Sequence, residues 1–134
     1  MNKKFILSVV ALFVVSMLLG VLVHGFLLAG DYQALGPVMR APEDAQGYFG
    51  WMIAAHIAMS IGLTGIYRRG HEAGKPWLGQ GVRFGLWMAL VMTVGVYLIY
   101  YAVQPMPGML VLKQIVFDAI AVVILGITLA AVNK

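Results

Sequence analysis

Asp118 is the residue in this chain best placed to do chemistry, because it interrupts an otherwise apolar run from Met109 to Val132 that also holds Lys113 and Gln114. An ionisable side chain near the centre of a bilayer costs roughly 2.5–3.5 kcal/mol on insertion scales, so it normally faces other protein or a wet cavity. The chemistry open to such an acid is proton exchange, or the binding of an ion or polar solute. Gln114 lies one turn earlier on the same helical face, and Lys113 has a stem long enough to snorkel to the surface. His24 and His56 are the other titratable side chains set within apolar runs. A His56–Asp118 hydrogen bond would relieve the cost of a lone acid, and a polar pocket shared among helices is the expectation. His24 and His56 are also the pair that could hold a b-type haem between facing helices.

Other chemistries lack their parts. There is no cysteine, no phosphate-binding glycine loop, no HExxH and no metal-ligand spacing. Ser60, His56 and Asp118 could be gathered as nucleophile, base and acid, but Ser60 shares a helix with His56 and no oxyanion donor is in sight. The expectation is a protein that is not an enzyme, with no resident metal. His71 falls in a polar loop and reads as solvated.

The elements that must position these side chains are membrane spans. The chain has 134 residues, 62% of them hydrophobic and only 10% charged, against a soluble average of about 25% charged. That length accommodates four spans of about 20 residues and no separate catalytic domain. The spans are expected at about 5–30, 47–67, 82–103 and 109–132. The first follows two lysines in the manner of a signal peptide, but its apolar run exceeds the usual 7–15 residues. Pro42-Glu43-Asp44 reads as a helix start before the second span, with acids at the positive dipole end. The fold class is therefore all-α: a polytopic membrane protein whose four helices form one antiparallel bundle.

Small residues mark where backbones could meet. Ala54, Ala58 and Gly62 recur every four residues along the second span, and Gly81 with Gly85 forms a GxxxG at the start of the third. Basic residues set the orientation. Lys3, Lys4, Arg68, Arg69, Lys75, Arg83 and Lys134 fall on one side, whereas the opposite loops carry only Arg40, so both termini are expected in the cytoplasm. The formal charge of +4 is thus a topology signal and calls for no nucleic acid.

The lysine start, Val23-His24-Gly25-Phe26-Leu27-Leu28, the Gly81-Val82-Arg83-Phe84-Gly85-Leu86 stretch and an acid in the last span resemble small four-span bacterial membrane proteins of unknown function. The resemblance implies a bacterial inner-membrane location and supplies no activity. Thin spans, small-residue ridges and intramembrane polar groups fit an accessory or structural subunit of a larger energy-transducing or transport complex, with lipid and other membrane subunits as partners. The alternatives are a small proton-coupled transporter centred on Asp118 and the haem protein built on His24 and His56.

Overall fold

The computed structural model describes residues 2–134, and every regular element among them is helical. Helix α1 (Lys3–Leu27) starts at Asn2, whose side chain accepts from the Lys4 N–H at 3.0 Å. It is α-helical to Gly20 and widens into a π-helical stretch over Val21–Leu27. The short α2 (Ala29–Gln33) follows, then a single 3-10 turn at Gly36–Val38, where Gly36 takes the left-handed φ of +58°. Helix α3 (Glu43–Gly70) contains a 3-10 turn at Gln46–Tyr48. Helix α4 (Trp77–Val103) has a second π-helical stretch at Leu90–Val94, and α5 (Gly108–Asn133) is α-helical throughout.

Four of these helices, α1, α3, α4 and α5, are long and apolar enough to cross a membrane, at 25, 28, 27 and 26 residues. At 1.5 Å per residue each exceeds the roughly 30 Å hydrocarbon thickness. Helices α3 and α4 start about a turn earlier than the apolar runs alone indicate. Glu43 and Asp44 fill the first turn of α3, and Pro76 precedes α4 with a ψ of 122°, outside the helical range.

Helix α5 lies between α4 and α1, and α3 packs on the other flank of α1. The α4–α5 crossing is the closest. A Cβ at Gly81 would stand 2.8 Å from the Gly126 carbonyl oxygen, and one at Gly85 would stand 2.5 Å from Val123 Cα, so only glycine lets the two backbones meet. Gly126 is the counterpart that the spacing in α4 does not disclose. Leu12, Leu63, Tyr67, Leu125 and Leu129 fill the core toward the terminal end; Val23, Leu28 and Leu110 fill it toward the other. At the terminal end Asn133 Nδ2 donates to Ser8 Oγ (2.9 Å) and Lys4 Nζ to the Lys134 carbonyl (3.2 Å), which sets the start of α1 beside the end of α5.

Ala54, Ala58 and Gly62 lie exposed on the outer side of α3, and nothing stands within 4 Å of a Cβ at Gly62. The packing expected of that ridge is not made within this chain. The buried face of α3 is instead Ser60, Leu63, Thr64 and Tyr67.

Candidate functional site

Four helices contribute to a half-open cavity of about 270 Å³ whose polar wall is His24, His56, Tyr97 and Asp118, with Met59 and Met92 among its apolar lining. The two π-helical stretches flank it: His24 belongs to the one in α1, and Met92 and Thr93 to the one in α4. Such wide turns break helical regularity and cluster at functional sites. Here they sit at the level where the carboxylate needs partners.

Both Asp118 oxygens are met. The Tyr97 hydroxyl donates to Oδ2 at 2.5 Å, and His24 Nε2 stands 3.3 Å from Oδ1. Gln114 Nε2 donates to the Tyr32 oxygen at 3.2 Å, and the Tyr32 hydroxyl lies 2.7 Å from His24 Nδ1, which turns the other ring nitrogen toward Asp118. Burial holds the Tyr32 hydroxyl above its usual pKa; the Gln114 hydrogen bond opposes this, while the nearby Asp118 and Asp31 carboxylates add to it. Tyr32 is therefore a standing donor at neutral pH. The result is one connected chain, Tyr97–Asp118–His24–Tyr32–Gln114, from the cavity to the end of the molecule that carries α2.

Ser16 Oγ lies 3.0 Å from the Phe13 carbonyl oxygen and 2.9 Å from His56 Nδ1, tying that imidazole to α1. His56 Nε2 has no hydrogen-bond partner among the described residues and packs over α1 at Gly20, where a Cβ would stand 3.7 Å from it. An imidazole with one open nitrogen and a carboxyl group thus border the same small cavity, a pairing able to accept and pass on a proton.

The residues read from sequence are distributed as follows. Asp118, His24 and His56 all line the cavity, but the acid is held by His24 and Tyr97, and His56 by Ser16. Gln114 is buried and reaches Asp118 only through Tyr32 and His24. Lys113 turns to Asp31, 2.9 and 3.0 Å from its two oxygens, and so pins α2 to α5. The sequence alone does not mark Tyr97, Tyr32, Ser16 or Asp31 as site residues. Tyrosines near span ends look like interfacial anchors, and only their separation of two or more turns from the neighbouring polar groups hides their role.

A bis-imidazole haem does not fit this arrangement. The cavity falls below the roughly 300 Å³ at which sites for drug-sized ligands begin, and both His24 nitrogens already face protein partners. Among the described residues no group of three or more His, Asp or Glu side chains is placed to hold a metal ion. No protein family, curated protein or solved structure matches this chain.

Proposed function

We propose that the protein is a small proton-coupled carrier that crosses the bacterial inner membrane four times, its helices antiparallel and both termini cytoplasmic, with Asp118 as the group that gains and loses the proton. The observation that carries the reading is the meeting of Asp118, His24, Tyr97 and the open Nε2 of His56 around one cavity between the helices. An acid kept in such surroundings only for adhesion has no use for an adjoining cavity or for a second, unpartnered base. The gathering of Arg68 over Phe5 and Lys134 over Trp77 at the terminal end supports a cytoplasmic face there. The bacterial inner membrane comes from the resemblance to four-span bacterial proteins. The cavity volume limits the cargo to a small solute. Proteoliposomes with a trapped pH dye should show pH-dependent flux that vanishes in Asp118→Asn; equal flux in that variant refutes the reading.

A second reading, an accessory subunit of a larger membrane complex, is favoured by a different observation. Helices α3 and α4 are the spans the chain covers least, and the Ala54–Ala58–Gly62 ridge of α3 faces outward. Purification in mild detergent should then bring down a stoichiometric membrane partner, and a lone chain would count against it.

A further inference from the structure

We infer that a file of water along α3 joins the Asp118 cavity to the terminal end of the molecule, giving the proton a second way in. This rests on the reading of Asp118 as a proton-exchanging group.

Hydroxyls within the apolar helices generally spend their hydrogen on a carbonyl a turn back. Ser8 donates to Lys4 O, Ser16 to Phe13 O, Ser60 to His56 O, Thr93 to Ala89 O and Thr128 to Ile124 O. Thr64 and Tyr67 do not. Thr64 is 0% exposed and Tyr67 3%, yet neither hydroxyl has a hydrogen-bond partner among the described residues; the one other buried polar side-chain atom so placed, Gln114 Oε1, lies beyond the cavity toward α2. Buried polar groups are almost always satisfied, by protein or by ordered water. Burial inside the chain excludes lipid as the partner, so water is the one that remains.

The position of these two hydroxyls gives the water a purpose. His56, Ser60, Thr64 and Tyr67 follow one another at spacings of four, four and three residues, which sets them on one face of α3; His71 follows just past the helix end in an extended conformation. That face begins at His56, on the Asp118 cavity, and ends at Tyr67, whose ring centroid lies 5.9 Å from that of the exposed His71 beyond the helix end. Tyr67 also borders a second cavity of about 170 Å³ with Gln80, Arg83, Phe84 and Trp87. The rise from Ser60 to Tyr67 is about 10 Å. Water held by Thr64 Oγ1 and Tyr67 Oη would lie in the stretch between the cavity that His56 borders and the one that Tyr67 borders. At the opposite end the Asp118–His24–Tyr32 contacts lead from the cavity to the buried Gln114.

The test uses proteoliposomes with a trapped pH dye and, separately, single-cysteine chains, since the protein has no cysteine of its own. Tyr67→Phe and Thr64→Val keep the shape of the side chains and remove the hydroxyls. Each should slow proton flux about tenfold, the worth of one hydrogen bond in the transfer path. Flux that vanishes in Asp118→Asn but matches wild type in both hydroxyl variants overturns the water file and leaves the carrier reading standing. If wild-type vesicles carry no flux, the carrier reading fails and the file is judged by access alone. Ag⁺ added to inverted membrane vesicles should block later maleimide labelling of Thr64→Cys but not of Ile61→Cys, which is 48% exposed on the outer side of α3. Protection of both alike, or of neither, overturns it.

Discussion

The Tyr97–Asp118 bond is the strongest polar contact in the site, because it joins a hydroxyl donor to a carboxylate away from bulk water. Hydrogen bonds between membrane helices are worth about 0.6–2 kcal/mol and those to charged groups about 1.5–3 kcal/mol. Tyr97→Phe should therefore cost about 1–2 kcal/mol in detergent-solubilised thermal unfolding. In an Asp118→Ala background the same change should cost much less, and additive costs would show that the two side chains do not interact. The Lys113–Asp31 pair is 41% and 29% exposed, so its coupling should stay within about 0–1 kcal/mol. Asp118, His24 and His56 were legible in the sequence because a polar side chain in an apolar run stands out. Their pairings were not: His56–Asp118 is the contact that burial economy favours, and only the three-dimensional placement of Ser16, Tyr97 and Tyr32 redirects both residues.

At the scale of elements, the turn between α3 and α4 is held by side chains of α4. Gln80, buried in the first turn of α4, accepts from the Glu72 N–H at 2.7 Å and donates to the Glu72 and Lys75 carbonyls at 3.1 Å. Glu72 in turn pairs with Lys75 and Arg83. Lys75 first and Arg83 second hold its carboxyl below the usual range. A lowered folded pKa adds stability above the unfolded value, roughly 4.3, and that stability is lost as pH falls through the folded value. Wild type should thus unfold at a higher temperature than Glu72→Gln at pH 7, with the gap closing toward pH 3 and shrinking in 1 M salt, since the group is at the surface. A gap that persists in acid would contradict the pairing. The four long helices were readable from their apolar runs, but their inward faces were not. In a soluble protein the buried side of α3 would stand out against a polar one; here Ile57, Ile61 and Ile66 are exposed while Ser60 and Thr64 are buried, the reverse of the pattern that periodicity detects.

For the molecule as a whole, the two small-residue ridges behave differently, and the difference separates what the chain needs to fold from what it offers to a neighbour. Gly81, Gly85 and Gly126 are consumed where α4 crosses α5, whereas Ala54, Ala58 and Gly62 are exposed, with no described atom within 4 Å of a Cβ at Gly62. Any side chain at Gly126 meets the α4 backbone at Gly81 and Gly85, so Gly126→Leu should destabilise the purified protein by at least about 1–3 kcal/mol. Gly62→Leu has open space around it and should change the stability of the purified chain by no more than about 0.5 kcal/mol. If α3 docks a partner through that ridge, the same leucine separates the two backbones and the partner is lost from mild-detergent extracts, with the Asp118 cavity untouched. Full recovery of a partner with Gly62→Leu would remove the ridge as its docking surface. Loss of the partner together with unchanged proton flux would show that assembly and transport use opposite faces of one helix.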